Sequence, residues 1–122
     1  GPHQLSDGSL RFMAMATLLL QPSHSLPRLI VLDEPELGLH PAALSSLAGM
    51  IQSAAARTQL VLATQSPRLV DEFEADDILV VERDEQSRAS KIQRLDLDSL
   101  KQWLARYTLS ELWEKNILGG KP

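Results

Sequence analysis

Three carboxylates, Asp33, Glu34 and Glu36, stand within four positions at the end of an apolar run in "LIVLDEPELGLHP", Leu29 to Pro41. Acids at the edge of a core are costly unless something cationic or reactive uses them. A strand-end Asp can hold the hydration shell of Mg²⁺. The adjacent Glu, facing the other way on the pleat, can polarise a water for attack on a γ-phosphate. The bland alternative is that both acids cap the turn through Pro35. The preceding "LIVL" and the following proline favour the catalytic reading, Asp33 for metal and Glu34 as base. Glu36 receives no chemistry beyond shaping the turn.

Phosphate chemistry also needs a grip on the phosphate. "LSDGS", Leu5 to Ser9, directly precedes an apolar run. There the Ser6 hydroxyl, the backbone N–H groups of Gly8 and Ser9, and a helix dipole would form an anion site. Ser-Asp-Gly serves equally well as a plain turn and N-cap. Its position one helix before an acidic strand end tips the balance toward phosphate.

The elements that must position these groups follow from periodicity. Leu10 to Leu20 is apolar nearly all round and predicts a helix buried on most sides. "QPSHSLP", Gln21 to Pro27, breaks it. Leu29 to Leu32 has the length and continuity of a central strand covered on both faces. Ala42 to Ala56 places Leu44, Leu47, Ala48, Ile51, Ala54 and Ala55 on one helical face, with Ser45, Ser46, Gln52 and Ser53 opposite. "QLVLAT" is a second strand; after it Ser66 can cap and Pro67 can open a short helix to about Phe73. Strand, helix, strand, helix argues for an α/β fold with a mostly parallel core sheet and functional groups at the strands' carboxyl ends. Ile78 to Glu82 and Lys91 to Leu95, joined by "RDEQSRAS", predict a β-hairpin. The tail is helical, with Leu100, Trp103, Leu104 and Tyr107 on one face and a capping box at Thr108 to Glu111.

The totals bound the partners. A chain of 122 residues is one domain or a piece of one, with a single core. A net charge of −4 leaves no basic field for nucleic acid. Cysteine is absent, which excludes disulfides, cysteine zinc sites and thiol catalysis. The longest apolar run falls short of the roughly 20 residues that span a bilayer, so a cytoplasmic protein without a membrane partner is expected. Asp71, Glu72, Glu74, Asp76 and Asp77 read as a solvated connection. Trp103, Tyr107 and Trp113 read as packing rather than as a stacking platform for bases.

"LSDGSLRF", "LIVLDEPELGLHP" and "LVLATQSP" resemble, in order, the signature, the Walker B with D-loop, and the switch of an ABC-type ATPase head. The wording "DEPELGLHP" followed by "TQSP" is similar to AAA family ATPases related to the RecF/SMC and OLD groups. The ending "LSELWEKNILGGKP" is similar to that of a bacterial branch. The resemblance covers almost the whole chain and implies a partial P-loop NTPase fold with ATP and Mg²⁺ as cofactors. It implies that Asp33 holds Mg²⁺ through water, that Glu34 is the base, and that Gln65, standing where many such heads have a His, orients the attacking water. Ser6, Gly8 and Ser9 would bind the γ-phosphate of a nucleotide on a second head. Gly38, Leu39 and His40 would lie along that interface, with His40 either touching nucleotide or shaping the turn before Pro41. Asp7 stands where a Gly is common and adds a negative charge.

No GxxxxGK[ST] occurs in the chain, and "GGKP" at Gly119 to Pro122 lacks its spacing and hydroxyl. The resemblance therefore implies that residues 1–122 are the C-terminal half of a head whose Walker A half lies elsewhere. Its expected partners are that half and a second head in an ATP-dependent dimer; DNA or an effector protein would join through other domains. By itself such a piece is expected to be inactive. The competing readings are a non-catalytic module that presents "LSDGS" to another ATPase head, and a Mg²⁺-dependent nuclease built on Asp96 and Asp98. Asp98 is well placed to cap the helix at Leu100.

Overall fold

A computed structural model describes residues 7–120 and shows an α/β chain. It divides into two compact units, residues 1–69 and 70–122. Buried apolar side chains occur in both units.

In the first unit, β1 (Leu29–Asp33) pairs in parallel with β2 (Gln59–Ala63), with Asp33 opposite Ala63 at the carboxyl ends. The crossover is α2 (Pro41–Ala55), whose buried Leu44, Leu47, Ala48, Ile51 and Ala54 form the expected apolar stripe; Ala55 is exposed. Pro41 sits at the first position, where its missing N–H costs nothing. The chain leaves β2 through a short helix, α3 (Pro67–Val70), with Ser66 Oγ accepting from the Leu69 N–H at 3.2 Å. That helix stops three residues earlier than the predicted Phe73.

Two expectations about coverage fail here. In β1 only Ile30 is buried, while Leu29 and Val31 are 52% and 63% exposed, and Val61 on β2 is 47% exposed. Among the described residues, the sheet is covered on one face, not both. Helix α1 (Asp7–Leu19) buries only Gly8 and Leu19 and leaves Leu10 and Met13 more than half exposed. An all-round apolar pattern shows what a helix can bury, not what lies beside it.

Arginines fasten α1 at both ends instead. Arg57, just past α2, donates to the carbonyls of Gln21 (2.8 Å) and Leu19 (3.1 Å) and reaches Ser23 Oγ at 3.4 Å. A guanidinium suits carbonyls left without partners at a helix C-terminus. Beside it the Thr58 hydroxyl donates to the Pro27 carbonyl.

In the second unit, β3 (Leu79–Arg83) and β4 (Ser90–Arg94) form the predicted antiparallel hairpin. Val80 faces a cluster of Leu100, Leu109, Leu112 and Leu118, while Leu79, Val81 and Ile92 on the other face are exposed. Helix α4 (Leu97–Leu104) supplies Leu100, α5 (Leu109–Glu114) supplies Leu109 and Leu112, and Leu118 comes from the tail beyond α5. The capping box is formed as expected: Thr108 Oγ1 accepts from the Glu111 N–H, and Glu111 Oε1 accepts from the Thr108 N–H. That second bond is the chief cause that lowers the Glu111 carboxyl below its ordinary value. Asp96, not Asp98, caps α4, accepting from the Ser99 N–H at 3.3 Å. The acidic connection is more than solvated: Asp71 Oδ1 accepts from the Ser110 N–H at 2.7 Å, and Glu74 and Asp77 cap one another's backbone. The "GG" of the tail serves packing, since Gly120 N–H donates to Glu82 Oε1 at 3.0 Å and a side chain at Gly119 would collide with that carboxylate.

Candidate functional site at the carboxyl edge of the parallel strands

Parallel pairing brings the ends of β1 and β2 to one edge. Asp33 closes β1 and is exposed; Glu34 follows at once, and Gln65, also exposed, lies two residues past Ala63. The pairing continues one step further, because the Glu34 N–H donates to the Ala63 carbonyl at 2.8 Å. The turn after β2 is braced by the Ser66 N–H donating to Thr64 Oγ1 at 3.0 Å. Asp33, Glu34 and Gln65 thus stand at or just past the carboxyl ends of β1 and β2.

Glu34 also has a feature that no pattern announces. Its φ is +47°, in the left-handed region that side chains other than Gly rarely adopt. Such a conformation costs about 1–2 kcal/mol and persists where the surroundings hold it. Both of its backbone polar groups are held: the N–H by β2, and the carbonyl by Arg11 Nη2 at 2.9 Å. Arg11 Nη1 donates to the Leu37 carbonyl, also at 2.9 Å. Pro35 between them is fully buried.

The start of α1 presses onto the same loop. A Cβ on Gly8 would lie 2.3 Å from the Gly38 carbonyl oxygen, and Gly38 itself has a φ of +75°. Any side chain at Gly8 therefore collides with backbone, and Gly38 needs glycine's freedom of φ. This contact draws Gly8 and Ser9 to the loop that follows Glu34. Asp7, the first residue of α1, is exposed and complements the helix dipole. Ser6 lies outside the described residues.

His40 is the N-cap of α2, with Nδ1 accepting from the Ala42 N–H at 3.2 Å. That geometry favours the turn-shaping role, and it leaves Nε2 as the nitrogen available to a partner. Glu36 Oε1 is buried without a hydrogen-bond partner among the described residues. A buried acceptor left so costs roughly 1–3 kcal/mol, making Glu36 a second costly point in the loop.

Among the described residues, no group of three or more His, Asp or Glu side chains is arranged to hold a metal ion. Asp33 stands alone, which suits Mg²⁺, an ion that takes one or two carboxylates and completes its shell with water and phosphate oxygens. The Asp96 carboxylate is already engaged as a helix cap.

Fold and family relate the chain to ATPase heads. The family model described as "AAA domain, putative AbiEii toxin, Type IV TA system" matches residues 2–71, and the chain belongs to that family. The fold resembles that of a solved structure from work on the ATP-driven dimerization and DNA-stimulated activation of SMC ATPases. The TM-score is 0.62 at 18% identity, over 84% of this chain. The chain spans 62% of the length of that solved chain. No curated protein matches the sequence. Among the described residues, no helix is long and apolar enough to cross a membrane.

Arg11 and Arg57 were missed by motif reading because each acts through carbonyls more than twenty positions away. A signal existed for Arg11: a long cation one helical turn after Gly8, on the same face of the helix.

Proposed function

We propose that residues 1–122 form the C-terminal part of an ATP-hydrolysing head, completed by a phosphate-loop half and working as a pair of heads closed on ATP and Mg²⁺. The observation that carries this reading is the strand-end pair Asp33–Glu34, with Glu34 in a left-handed conformation gripped at both backbone groups, on the edge shared with Gln65. Backbone strain clusters where chemistry needs fixed geometry.

Asp33 is the residue to hold Mg²⁺ through water, and Glu34 the base that takes a proton from the attacking water. Gln65, a neutral amide, can orient that water but cannot donate a proton as an acid. Mg²⁺, when bound, neutralises charge developing on the phosphoryl oxygens. Ser6, Gly8 and Ser9 are assigned to a γ-phosphate presented by the second head, and the Nε2 side of His40 to the same interface. Without the amides and lysine of a phosphate loop, the triphosphate is not positioned for Glu34 to act on. DNA or an effector protein would be served through other domains.

The test is to mix this chain with a separately made strand–GxxxxGK[ST] half and measure ATP turnover. Turnover should appear only in the mixture, and Glu34→Gln should lower it by about 10²–10⁴-fold without unfolding the chain. Turnover indifferent to that substitution would sink the role given to Glu34. A mixture that stays inactive while the chain still binds an intact head favours the non-catalytic module.

A further inference from the structure

Helix α1 and the catalytic edge are joined through one side chain. Arg11 lies one turn beyond Gly8, and its two terminal nitrogens each donate at 2.9 Å, one to the Glu34 carbonyl and one to the Leu37 carbonyl. The Leu37 N–H closes the same turn on the Glu34 carbonyl at 3.3 Å. Glu34 is thus tied to β2 through its N–H and to α1 through its carbonyl, in a conformation that it would leave if released. The charge-assisted bond to the Glu34 carbonyl is comparable in size with the cost of one left-handed residue, so the arginine helps to hold it. If the carbonyl lets go, the residue relaxes toward extended φ, and the direction of its Cα–Cβ bond turns with it.

We propose that Arg11 is a positioning residue that makes the aim of the Glu34 carboxylate depend on the placement of α1. The proposal rests on the reading of Glu34 as the base. Its consequence under that reading is regulatory. The first turn of α1 is the part assigned to the second head's nucleotide, so closure against that nucleotide would be felt at Glu34 through a rigid fork. The Gly8–Gly38 backbone contact gives the movement a fulcrum, because neither residue has a side chain that could cushion it. A lysine could keep the charge but not grip two carbonyls at once.

The test uses Arg11→Met and Arg11→Lys. In the chain alone, Arg11→Met should speed amide exchange at Leu37 on the order of tenfold, while Ile51 in α2 exchanges as before, showing that the unit remains folded. In the ATPase assembled with the phosphate-loop half, Arg11→Met should lower kcat about ten- to a hundredfold and leave KM for ATP within about threefold, and Arg11→Lys should recover only a minor part. Unchanged exchange at Leu37 overturns the proposal, as does full turnover in either variant. If Glu34→Gln keeps its activity, the base assignment falls, and the exchange measurement still decides whether Arg11 holds the loop.

Discussion

Gly8 rests directly on the backbone of Gly38, so that a methyl group on Gly8 would come within 2.3 Å of the Gly38 carbonyl oxygen. Two segments thirty positions apart meet there with nothing between them but main chain. The glycine of "LSDGS" therefore has a packing duty besides any duty toward phosphate.

Gly8→Ala should destabilise the first unit by about 1–3 kcal/mol, the usual cost of overpacking, since backbone cannot swing aside as a flexible side chain can. Chemical denaturation followed by circular dichroism measures this. Gly49, whose Cβ would meet nothing within 4 Å, supplies the control: Gly49→Ala in the middle of α2 should stabilise, by about 0.5–1 kcal/mol. Equal effects at the two positions would contradict the packing described.

Glu34→Gly should make the chain more stable while removing its proposed chemistry. Glycine adopts a φ of +47° without penalty, so relief of about 1 kcal/mol is expected. The same substitution should abolish turnover in the assembled ATPase. A melting temperature that falls would show that the Glu34 side chain contributes more to folding than its conformation costs.

Acid should weaken the second unit through the Thr108–Glu111 box. The Thr108 N–H bond, then the Thr108 hydroxyl, hold the Glu111 carboxyl below its ordinary 4.5. A carboxylate with a depressed folded pKa stabilises above its unfolded pKa, and that stabilisation is lost as pH falls through the folded value. Asp84 is lowered in the same sense from 3.8, first by the Gln86 N–H and then by Ser87. Denaturation midpoints should therefore be level above about pH 5 as far as these groups are concerned and should decline below about 4.5. Glu111→Gln should flatten part of that decline; an unaltered acid limb would rule out the box as a contributor.

Much of the fold was legible because its signals are local. "LIVL" and "QLVLA" declare strands by composition, the serines of α2 mark its wet face, and Thr108 with Glu111 spells a cap, so these boundaries fell within about a residue, whereas the start of α1 and the end of α3 each missed by three. Asp33, Glu34 and Gln65 could be brought to one edge on paper, because parallel pairing aligns strand ends. What escaped was long-range or conformational. Leu29 and Val31 look like a doubly covered strand, yet apolarity records a capacity for burial and cannot say whether a second layer is there. Arg11 and Arg57 bind carbonyls, which carry no residue-type signature. The φ of Glu34 is imposed by its neighbours, and its own residue type argues against it.

The uncovered face of the β1–β2 pair has a colloidal consequence. Leu29, Val31 and Val61 lie half bare beside strand edges that, among the described residues, have no further neighbour in their sheet, the features through which separate molecules adhere to one another. Like-charge repulsion from a net −4 opposes that adhesion and vanishes near the isoelectric pH of about 5.3. Dilute, mildly alkaline, low-salt buffer is where the chain should stay dispersed.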